Sequence, residues 1–319
     1  MNQDLPASGR HLCHGITWAS GSPALLLVPL EGGPLVYAPL IGQHLGYRAE
    51  TSGRWCTGRY RFADRFHVEP APCPDMAPAD TGAQCAACLA RDEFRFAHHA
   101  HTGGPVPGAL ALYLSQPHWL YAATFADGTT KVGTAAEPRR RSRLDEQGPL
   151  FATYLAQGPD GRAVRFVEDA LTRRLDLTQT VRSTAKLQSL ALLRDTAPAR
   201  DTHAEHVRRA TDVLTELGIP ALLHPWTAPE PSRLAITPGT DRAVYPHTLR
   251  EGEHGLRVRS LAGSLALITP TETDTDTDTD TDTDTSLTYL LDLSSLKGRR
   301  ITLGAHFRSP PATVQPALF

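Results

Sequence analysis

Cys56, Cys73, Cys85 and Cys88 are the residues whose type and spacing most directly spell out a chemistry. Cys85-Ala-Ala-Cys88 has the knuckle spacing in which a tight turn presents two thiolates to one tetrahedral zinc ion, at roughly 2.3 Å. Cys56 and Cys73 are the obvious remaining ligands of a closed, structural four-thiolate site. The chain between them is rich in Pro, Gly and Asp, an irregular composition that a metal can fix. Two substitutions in this ligand set stay open. Cys13, followed like Cys56 by x-Gly, can replace it, and His101 can complete the set. His98, His99 and His101 otherwise read as a solvated loop, because nothing beside them preorganises the rings. A redox role for the Cys-x-x-Cys pair lacks thioredoxin-like surroundings.

A second chemistry lies in the run Arg139, Arg140, Arg141 and Arg143. Pro138 suits the first turn of a helix. On that helix Arg139 and Arg143 share a face, while Arg140 and Arg141 point elsewhere, so the spacing predicts a basic surface rather than one pocket. Asp145 and Glu146 offset part of the charge. The elements that must position this run are a strand over 119–125, a two-residue turn on Asp127-Gly128 and a strand over 130–133 before it. A strand over 150–157 and an amphipathic helix over 163–175 follow. His118 caps the entry of the first strand, and its odd separation from Tyr121 sets the two on opposite faces.

The order Tyr121, Lys131-Val132-Gly133, Arg143 and then Glu168 resembles the GIY-YIG nuclease superfamily, in the branch whose second motif reads Lys-hydrophobic-Gly. Lys-Val-Gly followed by RLDEQGP is similar, more closely, to the domain-of-unknown-function family 2797, whose members carry a Cys-rich segment upstream. That resemblance covers most of the chain from Cys13 to about Leu303. It implies a three-stranded antiparallel sheet with helices, and metal-dependent hydrolysis of a nucleic-acid phosphodiester. By resemblance Tyr121 sits near the attacking water, Arg143 steadies the scissile phosphate and Glu168 holds a catalytic magnesium or manganese ion. Lys131 replaces the second-motif Tyr and becomes an auxiliary phosphate contact, a base only if burial lowers its pKa. Thr134-Ala135-Ala136 follows the Gly where relatives have an apolar residue, which predicts that the second strand ends at Gly133.

The rest of the chain supplies the frame. Its 319 residues are 40% hydrophobic and suffice for two domains or one with appended modules. No apolar run reaches the length of a membrane span, and the first residues lack a basic-then-apolar leader, so a cytoplasmic protein with reduced cysteines is expected. The formal charge of −2 includes seven acids between Glu272 and Asp284; removing them from 34 leaves 27 against 32 Lys plus Arg, about +5. That balance is compatible with a nucleic-acid partner without demanding one.

Short strand-like runs at 15–20, 24–29, 33–39 and 45–50 suggest a small barrel or sandwich, and 256–260, 264–268, 288–293 and 300–305 suggest two hairpins joined to it. Helical spacing marks 184–194 and 201–217, the latter with a capping arrangement at Asp201 or Thr202 with Glu205. His203 and His206, three apart on the second helix, have a spacing that can bridge a metal, but with no further ligand in view they read as ordinary helix residues. The expected protein is α+β: an N-terminal β region (1–55), a zinc-binding segment (56–104), a GIY-YIG-like domain (117–225) and a C-terminal β region (240–308). Within the last, the Thr-Asp tract of 271–285 is expected to be a disordered loop. A non-catalytic zinc-stabilised nucleic-acid-binding or scaffold protein, and a repurposed small-molecule enzyme, are the alternative functions.

Overall fold

The computed structural model describes residues 5–18, 21–50, 53–80, 82–100, 103–104, 106–238, 242–271 and 287–311, without the side chains of His98 and His99. His101 and the Thr-Asp tract from 272 onward lie outside the described residues. The chain begins with β1 (Ser8–Thr17), β2 (Ala24–Pro29), β3 (Val36–Pro39) and β4 (His44–Ala49). A short hairpin, β5 (Arg59–Phe62) and β6 (Val68–Ala71), precedes α1 (Ala86–Ala90) and α2 (Gly108–Leu114). The central unit is β7 (His118–Thr124), β8 (Thr130–Ala136), α3 (Arg140–Gln147), β9 (Phe151–Gly158) and α4 (Gly161–Leu175). Helices α5 (Ser183–Ala191) and α6 (Ala197–Glu216) follow, then β10 (His224–Pro225) and α7 (Arg233–Ile236). Five more strands complete the described chain: β11 (Arg242–Val244), β12 (Gly252–Ala262), β13 (Leu265–Pro270), β14 (Thr288–Asp292) and β15 (Arg300–Gly304).

The architecture is mixed α+β. Strands from both ends of the chain form one nine-stranded sheet in the order β11-β14-β13-β12-β4-β15-β1-β2-β3. The last strands join the first ones in one sheet, as expected, with β15 inserted between β1 and β4. Leu25 and Leu27 near one edge share a core with Tyr289 and Leu291 near the other, so the sheet curls around its apolar face. Trp18 fixes the curl where its indole N–H donates to the Gly263 carbonyl at 2.9 Å. Among the described residues no helix is long and apolar enough to cross a membrane.

A four-stranded sheet, ordered β10-β9-β7-β8, holds the central unit, and its strands alternate between two covered faces. On one, Leu120, Ala122 and Val132 pack against Val164 and Leu171 of α4 and Ala210 and Leu214 of α6. On the other, Trp119, Tyr121, Ala123 and Tyr154 pack against Leu144 of α3. Helix α4 starts where Asp160 Oδ1 accepts the Ala163 N–H at 2.8 Å, two residues before the expected start. Helix α5 packs on β14 and β11 of the large sheet, with Leu190 and Leu193 beside Leu265 and Leu290, so of the two helices only α6 covers the hairpin sheet.

Several local expectations need correction. The β7–β8 connection is longer than a two-residue turn: Gly128 N–H donates to Phe125 O and Phe125 N–H to Thr129 O, with Gly128 alone at positive φ. Strand β8 runs on to Ala136, because Ala135 and Ala136 still pair with Trp119 and His118 across the hairpin. Helix α6 begins four residues before Asp201, with Pro198 in its first turn, so Glu205 is no cap partner and pairs with Arg208 instead. Both ring nitrogens of His203 are engaged by threonine hydroxyls. Its Nδ1 bonds Thr124 Oγ1 at 2.8 Å and its Nε2 bonds Thr153 Oγ1 at 2.9 Å, fastening α6 to β7 and β9, while His206 bonds Thr130.

Candidate functional site

The four expected cysteines meet. Cys56 lies beyond the bridge of Trp55 to Pro78, Cys73 just after β6, Cys85 at the start of α1 and Cys88 within it. Their sulfurs all lie within 4.8 Å of one another, in a buried cluster that can hold a metal ion. Cys73 Sγ and Cys85 Sγ are 4.0 Å apart, near the roughly 3.8 Å that a tetrahedron with 2.3 Å metal–sulfur bonds requires. Gly58 N–H donates to Cys56 Sγ at 3.2 Å, and a Cβ on Gly58, at φ +77°, would fall 2.0 Å from the Ala71 carbonyl. The x-Gly after Cys56 is therefore part of the cradle. Burial pushes the Cys56 and Cys88 thiols up, whereas the Cys88 N–H draws Cys85 down. Thiols so crowded in a dry pocket ionise together only when a cation joins them. Cys13 is excluded from this set: it sits in the core of the large sheet, and Gly15 after it serves a bulge in β1.

Tyr121, Lys131, Arg143 and Glu168 also gather, around the α3 face and the β8 edge of the small sheet. Tyr121 is fully buried, and its Oη has no hydrogen-bond partner; the Arg143 guanidinium is a close neighbour whose geometry falls short of a formed bond. Gly133 stands directly across from Tyr121, and a Cβ there would lie 2.4 Å from Tyr121 Oη. The Gly of Lys-Val-Gly is thus the floor on which the tyrosine ring lies. Lys131 Nζ donates to Gln147 Oε1 at 3.1 Å and to Gln179 O at 3.2 Å. Burial, then the nearby Arg143 charge, brings its pKa down to about 8 against the pull of Glu168. Glu168 is buried on α4, and its Oε2 accepts from Arg165 Nη1 at 3.4 Å.

Of the arginine run, Arg140 stacks over Trp119 at 5.1 Å and Arg141 is exposed. Arg139 and Arg143 share Glu146, at 2.6 and 3.7 Å. The expectation of a surface rather than a pocket is corrected here, because both line the same two cavities. One, of about 190 Å³, is a recess walled by Arg139, Arg143, Arg165, His118, Tyr113 and Thr134 among others. The second, of about 450 Å³, is a chamber between β1 of the large sheet, the β5–β6 hairpin and α3. Arg165 was not singled out from the sequence, although its i, i+3 spacing to Glu168 placed both on one helix face. Lys186 was missed as well. Its Nζ donates to Gln147 O at 2.9 Å over the Phe125 ring, and burial, then Lys131, lowers its pKa to about 7. His118, buried, donates from Nδ1 to Gln116 O at 2.8 Å and walls the recess rather than capping an exposed edge.

No family model, no curated protein and no solved structure matches this chain.

Proposed function

We propose that the chain hydrolyses a nucleic-acid phosphodiester with the help of a divalent cation, magnesium or manganese, at Glu168. The observation that carries this reading is the gathering of Tyr121, Lys131, Arg143 and Glu168 from four separate elements within reach of one another's charge. A bound cation there supplies charge neutralisation at the ester and an activated water. Arg143, two fifths exposed, reaches the phosphoryl oxygens and offsets the negative charge that grows on them. Tyr121 Oη, unpartnered behind that guanidinium, orients the incoming water or the arginine itself. Lys131, with its pKa about 8, adds a third positive group at neutral pH and is pinned by Gln147 and Gln179. The four-thiolate cluster holds a structural zinc ion that ties the β5–β6 hairpin to α1.

A second reading, phosphate binding without cleavage, is favoured by one contact: the Arg165 guanidinium already occupies Glu168. The two separate on incubation with single-stranded, duplex and branched DNA and with RNA, with magnesium or manganese present. Cleavage that vanishes in Glu168→Ala supports hydrolysis. Binding that falls steeply with salt, without cleavage, leaves only the second reading. Elemental analysis tests the metal, where one zinc per chain is expected and under about a tenth of an equivalent removes the thiolate site.

A further inference from the structure

Three guanidiniums converge on the 190 Å³ recess, and among the described residues two carboxylates pair with them. Arg139 and Arg143 share Glu146, which lines the chamber and not the recess, and Arg165 has Glu168. One positive charge is left over in a small recess, and a guanidinium held by one carboxylate keeps further N–H donors to offer. That is the chemistry of an anion site with the dimensions of a phosphate group.

The chamber next to it has a different lining. Phe94, Arg139 and Arg143 line both cavities, so the recess and the chamber adjoin at these side chains. There the rings of Trp18, Tyr37 and Tyr60 stand with Ser264 and Ser294. His14 also lines it, with its Nε2 buried and unpartnered. Aromatic faces beside a few convergent polar atoms, in about 450 Å³, are the lining of a site for one flat heterocycle.

We propose that the joined cavities take a nucleotide with an unpaired base, its phosphate among Arg139, Arg143 and Arg165 and its base among the rings of the chamber. This rests on the phosphodiester reading above and narrows its substrate class to single-stranded strand or free nucleotide. A base stacked and paired within a duplex has no free face to offer the rings of the chamber.

The test is binding, measured without added magnesium or manganese so that it does not depend on catalysis. Fluorescence anisotropy follows a labelled single-stranded tetranucleotide with a terminal phosphate, with competition by adenosine monophosphate, inorganic phosphate and a blunt duplex. The expected result is that the single strand binds at least tenfold tighter than the duplex. Tyr60→Ala, at an exposed ring, weakens the tetranucleotide about tenfold while leaving competition by inorganic phosphate unchanged, and Arg139→Gln weakens both. Far-ultraviolet circular dichroism and the metal content of each variant confirm that it has folded. Competition by adenosine monophosphate as strong as by the tetranucleotide identifies a free nucleotide as the ligand, and weaker competition identifies a strand. Equal binding of duplex and single strand, or no effect of Tyr60→Ala in a folded variant, overturns the proposal. Duplex cleavage without single-strand binding sinks this inference alone, and single-strand binding without any cleavage sinks only hydrolysis.

Discussion

On the α6 face of the four-stranded sheet, His203 is buried with both ring nitrogens bonded to threonine hydroxyls. On the α3 face, Tyr121 is fully buried, and among the described residues its hydroxyl forms no complete hydrogen bond, with the Arg143 guanidinium close by. Both faces are served by one strand, β7, which offers Thr124 to His203 on one side and carries Tyr121 on the other. A satisfied polar group in a dry interior fixes a single packing arrangement and strengthens it. An unsatisfied one costs about 1–3 kcal/mol, and a fold retains it where a ligand or water completes it. The first face therefore reads as structure, and the second, with Lys131, Arg143 and Glu168 around it, as site.

If this contrast holds, His203→Ala should be the most damaging single change on either face. It strips Thr153 Oγ1 of its partner and opens a void between α6 and the sheet. The expected loss is about 2–4 kcal/mol by urea denaturation, and a loss under about 0.5 kcal/mol would break the comparison. Acid should act on the same contact. Burial holds the His203 pKa down to about 4 against the ordinary 6.5, so the unfolded chain takes up the proton first. The stability this confers is complete above pH 6.5 and is lost as pH falls toward 4, up to about 3 kcal/mol. His14, also held down to about 4, adds in the same direction. The decisive measurement is the difference between the parent and His203→Ala denaturation midpoints from pH 7 to 4, which should shrink on acidification.

The α3 face predicts smaller and differently signed effects. Gly133→Ala sets a methyl group against the tyrosine ring, an overpacking of about 1–3 kcal/mol. It should displace Tyr121 and lower nucleotide binding together with stability. Tyr121→Phe should change stability least, by under about 1 kcal/mol and in the stabilising direction, since it removes an unpaired hydroxyl. Activity should fall in that variant even so. A Tyr121→Phe protein as unstable as His203→Ala would show that the hydroxyl has a structural partner after all.

Much of this arrangement was legible in the sequence where a local rule and a tertiary one agreed. Strand β2 was bounded correctly because Pro23 and Pro29 frame a run of apolar residues. The four thiols were found because ligand type and knuckle spacing are properties of the chain itself. What escaped depends on distant partners. Arg139 and Arg143 were expected to spread over a surface, and only the sheet and the β5–β6 hairpin packing against α3 make walls around them. The polar clamp at His203 needs threonines 50 and 79 residues away, which no helical periodicity discloses. Cys13 and Cys56 share the same x-Gly pattern, yet one glycine serves a strand bulge and the other a sulfur cradle.

Strand β15 lies between β1 and β4, hydrogen-bonded to both. During synthesis, then, the β1-β2-β3 ribbon waits with a bare edge, and β4 has neither neighbour, until about 200 to 250 further residues have emerged. Such late closure makes the large sheet slow to assemble and exposed to strand-edge association meanwhile, whereas the central unit, built from neighbours in sequence, can be folded and waiting when the final strand slots home.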